Sequence, residues 1–388
     1  MQASPEKIER IVVRGASWVG DAVMTVPALR ALRRLLPDAH LTLATRPLAK
    51  AIFDDADFLD DVLICEGSLL AQVRRWRHGR FDLAVLFQNA FEPALIARLA
   101  RVRLRVGYAT QHRGWLLTSP LPLPEWRESR HESFYYLNLI AGIDQLLNRS
   151  TAVSYTTLEQ HQAFDLTVPD ERKAQALDIL RAAGVRAGRP LVALCAGSVN
   201  SRAKRWPAER YAALADRFIE EVGAEVLLIG SPEELGVSLE VRSRMKHSPI
   251  VLSGKTDLAQ AVAVLSLIDL LVTNDTGPAH IAAALNRPTL VIFGPTNPLT
   301  TRPLSSKAEI LRHPPECAPC MLRDCPIDHR CMTAILPAEV FERAVAMLER
   351  SLTCDELQFV AAPTSEAISD GNNILAGPDK LKLAGHHQ

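Results

Sequence analysis

The chain has 388 residues, 48% of them hydrophobic and 23% charged, with 44 basic side chains balancing 44 acidic ones. This composition excludes a largely disordered chain, and its lack of net charge argues against a protein held to nucleic acid by bulk electrostatics. The longest apolar run, 258–272, carries Asp269 and is too short for a bilayer span, and the first residues lack a signal-peptide core, so a cytoplasmic protein is expected.

In chain order, short apolar runs at 10–15, 41–45 and 82–87 alternate with helical patterns, and the alternation resumes at 191–197, 225–230, 269–275 and 289–294. Runs that are continuously apolar, rather than alternating, mark strands covered on both faces. Strand–helix alternation then implies parallel, doubly wound sheets. The series occurs twice around a polar stretch at 145–175, which predicts two α/β domains with a cleft between their carboxyl strand ends. The expected bounds are 1–165 and 175–350, followed by a flexible tail at 355–388.

The first strand runs into "GASWVGD", where Gly15, Ser17 and Gly20 leave room for a ligand and Asp21 stands behind them. Asp21 either caps the following helix or accepts a proton from a substrate. Helical spacing continues from Val23 to Leu36, and Pro27 requires that helix to start late or to kink. Between 71 and 115, nine arginines face one Glu and one Asp, a solvated surface or a landing strip for an anionic substrate or membrane.

In the second half, "LCAGSVNSRAKRWP" places Gly197 and Ser198 at a strand end before Arg202, Lys204 and Arg205. The pattern suits phosphate oxygens, or an ordinary charged turn. Glu233 and Glu234 follow the next strand, where an acid can hold ribose hydroxyls or favour a helix dipole. "LLVTNDTGPAHIAAALNRP" delivers Asp275, Thr276 and Gly277 onto a helix start, an anion-stabilising position, with His280 one turn further. Neither G-x-G-x-x-G after the first strand nor G-x-x-x-x-G-K-[ST] occurs, which argues against an ordinary NAD enzyme and a P-loop NTPase. Cys317, Cys320, Cys325 and Cys331, with His329 among them, have the spacing of a structural zinc or iron site, a reduced loop or a labile disulfide.

Taken in order, "SWVGDAVMTVPALRAL", "AKRWP", "NDTGPAHIAAALNRP" and "FGPTNP" resemble glycosyltransferase family 9, the bacterial ADP-heptose:lipopolysaccharide heptosyltransferases, over about residues 8–350. "SWVGD" and "AKRWP" are nearer its type II branch than its type I branch. The resemblance implies a GT-B fold, two facing Rossmann-like domains with the acceptor on the first and the nucleotide sugar on the second. It also implies heptose transfer with inversion and no required cofactor, any zinc or iron at the Cys-rich loop being structural. Asp21 would be the general base, with Ser17, Trp18 and Gly20 on the acceptor side. Lys204 would neutralise the departing diphosphate from the opposite wall, Ser198, Asp275, Thr276, Gly277 and His280 would line the donor pocket, and Glu233 would hold the ribose. With an ordinary aspartate pKa of ~3.9, Asp21 would act late, once the attacking hydroxyl has acidified.

The partners so implied are ADP-heptose, an anionic lipid-anchored core oligosaccharide and the inner face of the cytoplasmic membrane, with Trp76 or Trp115 at the boundary, and no nucleic acid. Alternative readings are a type I enzyme, or a family-9 transferase with another glycan or a protein as acceptor. A GT-B nucleotide-sugar epimerase is more distant, since it wants several carboxylates around the anomeric carbon where the sequence offers Asp21.

Overall fold

The computed structural model describes residues 8–147 and 164–352. The expected tail and the 148–163 part of the expected interdomain stretch lie outside the described residues. The first sheet contains β1 (Arg10–Arg14), β2 (His40–Thr45), β3 (Asp61–Ile64), β4 (Leu83–Leu86), β5 (Leu104–Tyr108) and β6 (Ser119–Leu121), in the order β3-β2-β1-β4-β5-β6. The second contains β7 (Leu191–Cys195), β8 (Glu225–Leu228), β9 (Ile250–Val251), β10 (Leu270–Asn274), β11 (Thr289–Ile292) and β12 (Ala308–Leu311), in the order β12-β11-β10-β7-β8-β9. Every pairing is parallel.

The seven expected strands are all present. Those the apolar pattern did not reveal, β3, β5, β6, β9 and β12, lie at a sheet edge or next to one. Strands there keep contact with water and include residues such as Asp61 and Glu309, so no continuous apolar run marks them. The central strands β4, β7 and β10 are buried along their whole length.

In each sheet the chain winds outward from the first strand, then returns to the other side of that strand. The winding therefore reverses between β1 and β4, and again between β7 and β10. Carboxyl ends of parallel strands at such reversals splay apart and leave a crevice. The loops after β1 and β10 each enter a helix, Val19–Met24 and Gly277–Ala284, and these two helices pack against one another. Glycine permits the contact: a Cβ on Gly20 would lie 3.1 Å from His280 Cδ2, and one on Gly277 would lie 2.9 Å from Val19 Cγ1.

Other bonds reinforce the join. His131 Nε2 lies 2.8 Å from the Arg302 carbonyl, and Leu166 N–H donates to the Ala284 carbonyl at 2.9 Å. Phe164 and Val168 are buried and Arg172 pairs with Asp55, so the described part of the polar stretch is packed structure.

Pro27 divides the early helix as its φ constraint requires. One helix ends at Met24, the next spans Val26–Leu35 with Pro27 in its first turn, and the Thr25 hydroxyl donates to the Ala22 carbonyl at 2.6 Å. The cap of the first helix is Trp18 with no side-chain bond, so the carboxylate of Asp21 is not an N-cap.

Gly277→Ala should lower stability by about 1–3 kcal/mol, because its methyl meets Val19 in a close-packed contact. Urea denaturation of Gly277→Ala alone and combined with Val19→Ala checks this, and the second change should restore part of the loss.

Candidate active site

On the wall formed by the first sheet, Gln88 Nε2 donates to Ser17 Oγ at 2.9 Å, joining the loops at the ends of β1 and β4. Trp18 is 53% exposed beside them. The β4 loop is set by Arg113, which the sequence grouped with the surface arginines but which is fully buried. Its guanidinium donates to the carbonyls of Tyr108, Gln88 and Ala90 and to Asn89 Oδ1. Burial pulls its pKa down to about 10, which still leaves it charged at neutral pH. Asn89 in turn donates to the Tyr135 hydroxyl at 2.7 Å.

The opposite wall is organised by Asn274, buried at the end of β10. Its Nδ2 donates to the carbonyls of Ala196 and Gly197, while Oδ1 accepts from Trp206 N and the Tyr211 hydroxyl. Next to it the Asp275 carboxylate accepts from Lys204 Nζ at 2.9 Å and from the Thr296 hydroxyl at 2.7 Å, both on Oδ2. Lys204 also reaches the Asp275 carbonyl at 3.1 Å. Ser198 is buried, and its carbonyl accepts the Arg205 guanidinium, turning that cation back onto its own loop. Arg202 pairs with Asp324 at the surface. Thr276 precedes the helix that Gly277 starts, and its hydroxyl is not used as a side-chain cap.

Asp21 stands between the walls, half-buried. Burial raises its pKa to about 6, with Lys204 pulling it down and Asp275 pushing it up. The expectation of an ordinary aspartate pKa is thereby corrected: the helix contact that brings the walls together also removes water from the carboxylate. His280, packed on Gly20, is held down to about 4 by burial and stays neutral. His131 is lowered to about 4 for the same reason.

Sequence reasoning missed Glu132. This residue opens the helix Glu132–Leu146, and its pKa is raised by burial and by Asp21 and lowered by Arg127. Glu132 is thus a second carboxylate within electrostatic reach of Asp21, from a segment without a motif of its own. Glu233 and Glu234 also separate in role. Glu233 is exposed, whereas Glu234 is buried, accepts from Ser231 N at 2.8 Å and packs so closely on Gly197 that a Cβ there would meet it at 2.4 Å.

A model of glycosyltransferase family 9 (heptosyltransferase) matches residues 69–330. The chain belongs to that family. It is 29% identical over 327 residues to the lipopolysaccharide heptosyltransferase 2 of Salmonella typhimurium, spanning 78% of this chain and 88% of that relative. The structure of the Escherichia coli ADP-heptose lipopolysaccharide heptosyltransferase II superposes with a TM-score of 0.74 at 26% identity, over 88% of this chain and 99% of that one. The two facing parallel sheets are thus those of a GT-B glycosyltransferase. An iron-containing glycosyltransferase of enterotoxigenic E. coli, TibC, shares the fold at a TM-score of 0.52 and 15% identity, over 89% of this chain and 77% of that one.

The Cys-rich loop of this protein offers thiol ligands for iron or zinc only if they converge on one point. Cys317, Cys320, Cys325 and Cys331 line one small cavity, and burial pushes the Cys331 thiol up to about 11. Among the described residues, however, no three or more His, Cys, Asp or Glu side chains are gathered so as to hold a metal ion. As arranged, the thiols do not close a metal site, which was one of the alternatives their spacing left open.

The Asp21 carboxyl should titrate near pH 6, a step that carbon NMR of the labelled side chain reads and that Asp21→Asn removes. The same shift has a stability consequence. A pKa raised above its unfolded value of ~3.9 stabilises the fold fully below ~3.9 and loses that contribution as pH rises through the folded pKa. Asp21→Asn should therefore be more stable than the parent at pH 7.5 by about 1–2 kcal/mol, allowing for partial exposure, with the difference shrinking toward pH 4 in urea denaturation.

Proposed function

We propose that this enzyme transfers heptose from ADP-L-glycero-β-D-manno-heptose, with inversion, to the heptosyl-Kdo2-lipid A inner core of lipopolysaccharide. The observation that carries the reading is the position of Asp21, contributed by the first half and facing the Lys204–Asp275 pair of the second. Residues 1–165 then form the acceptor side and 175–350 the donor side. The family relatives, named for heptosyl transfer in lipopolysaccharide, support the choice of sugar and acceptor.

In this mechanism the acceptor hydroxyl sits against Asp21, with Ser17, Trp18 and Gly20 beside it. The donor's diphosphate lies toward Lys204, Ser198 and the backbone N–H groups of Thr276 and Gly277. The hydroxyl oxygen attacks the anomeric carbon from the face opposite the diphosphate, and Asp21 takes its proton. The anomeric carbon–oxygen bond breaks, its electron pair leaves with ADP, and the Lys204 ammonium and the helix N-terminus stabilise the charge. A pKa near 6 gives Asp21 about a hundredfold more basicity than an ordinary aspartate and still leaves most of it ionised at pH 7. Asp275 orients Lys204, and neutral His280 closes the pocket behind Gly20. Glu233, exposed beside the buried Glu234, is assigned to the ribose.

ADP release should require heptosyl-Kdo2-lipid A and fall by at least about a thousandfold in Asp21→Ala, of the order expected when a general base is removed. Release with Kdo2-lipid A alone would make the protein a type I enzyme. No release with either acceptor, from folded protein that binds ADP, would move it to another glycan or to a protein acceptor.

We further propose that the first half rests on the anionic inner membrane surface, which presents the acceptor. Among the described residues no helix is long and apolar enough to cross a membrane. Trp76 is 1% exposed and cannot serve as the boundary residue, a correction to one of the two expectations. Trp115 is 63% exposed, lies 6.4 Å from Phe91 between ring centroids, and carries Arg98 above its ring at 5.3 Å. Arg74, Arg77, Arg101 and Arg103 are also exposed. Aromatic rings flanked by cations suit a negatively charged lipid interface. Sedimentation with phosphatidylglycerol-rich vesicles should bind the protein at low salt, and Phe91→Ser with Trp115→Ser should weaken that binding about tenfold, an estimate from lost apolar burial.

A further inference from the structure

We propose that the Cys-rich loop at 317–331 is a brace that holds the Lys204–Asp275 pair in register with the donor, with His329 as its main positioning residue. The inference rests on the reading that Lys204 faces the donor's diphosphate. It concerns what holds that side chain still.

Lys204 sits on a three-residue turn, Arg202–Lys204, which has no side-chain cap. So short a turn satisfies few of its own backbone groups, and both polar groups of its buried centre, Ala203, are met from the Cys-rich loop. Ala203 N donates to the Arg323 carbonyl at 2.9 Å, and His329 Nε2 lies 2.6 Å from the Ala203 carbonyl. A carbonyl only accepts, so Nε2 must carry the proton. Ser201 Oγ adds a bond to the Arg323 carbonyl at 3.2 Å, and Arg202 pairs with Asp324 at 2.6 Å.

A second arm of the same loop reaches the other partner. Met321 N donates to the Pro295 carbonyl at 2.9 Å. The next residue, Thr296, donates its hydroxyl to Asp275 Oδ2, the oxygen that also receives Lys204. The loop thus grips both the turn that bears the ammonium and the turn that fixes its counter-ion. Its own anchor is buried: Cys331 and Met332 pack under Gly294, where a Cβ would meet Met332 Sδ at 2.3 Å. His329 reaches Ala203 from a left-handed backbone conformation, φ 56°, and its carbonyl accepts from Met332 N and Thr333 N of the following helix, Arg330–Thr333. No thiol chemistry is needed for this role, in keeping with four cysteines that lie around one cavity without closing a metal site.

The test is a double-mutant cycle in the full chain, read both on turnover and on ADP affinity, the latter surviving loss of activity. Displacing a charged group by about 1 Å can cost as much as a hundredfold. His329→Ala should therefore lower kcat ten- to a hundredfold and weaken ADP binding about tenfold. His329→Gln, whose amide N–H can reach the same carbonyl, should recover most of both. In a Lys204→Ala background His329→Ala should change ADP affinity less than twofold, because its effect passes through the lysine. An undiminished His329→Ala enzyme overturns the brace, as does a loss that persists unchanged in the Lys204→Ala background. Lys204→Ala with full activity would instead overturn the functional reading of the lysine. Should His329→Ala fail to fold, Thr296→Val and Thr296→Ser read the second arm by the same cycle, with serine rescue expected and an additive loss counting against the brace.

Discussion

Gly20 and Gly277 let the helices after β1 and β10 approach closely, each glycine receiving a side chain of the other helix, His280 and Val19, and the rest of the site depends on that contact. It joins the points where the two sheets reverse their winding, and these carry Ser17, Asp21, Lys204 and Asp275. A larger residue at either glycine would wedge His280 or Val19 outward and open the space between the walls. Asp21 would regain water, and the electrostatic link that connects it to Lys204 and Asp275 would weaken.

The charge arrangement follows from this packing. Lys204 is held by Asp275, and Asp275 by Thr296, so the ammonium has a fixed direction before any ligand arrives. Asp21 feels both charges, and their opposing effects leave burial as the dominant influence on its proton affinity. The buried histidines stay neutral, which keeps His280 a packing and lining group instead of a competing base. Burial thus raises the proton affinity of Asp21, while the Asp275 carboxylate is spent on Lys204 and Thr296.

The polar frame behind the pocket is less visible but equally specific. Arg113 and Asn274 are each buried and satisfied mainly by backbone groups, one shaping the loop after β4 and the other the loop after β7. Such groups cost much if left unpaired, so each effectively dictates one conformation of the loop it binds. The arginine-rich composition of 71–115 hid this, because composition cannot tell a guanidinium facing solvent from one facing carbonyls.

The sequence by itself determined the double α/β series, the central strands, the break at Pro27 and the loops that meet at the cleft. All of these depend on local pattern: apolar runs for buried strands, fixed φ at proline, small residues where chains approach closely. Tertiary structure alone decided which of Glu233 and Glu234 turns inward, that Trp76 is core and Trp115 surface, that Glu132 comes within electrostatic reach of Asp21, and that His329 hydrogen-bonds Ala203. It also decided the pKa of Asp21. These are properties of residues distant in sequence whose spacing carries no period, and desolvation exists only once two walls have closed on a side chain.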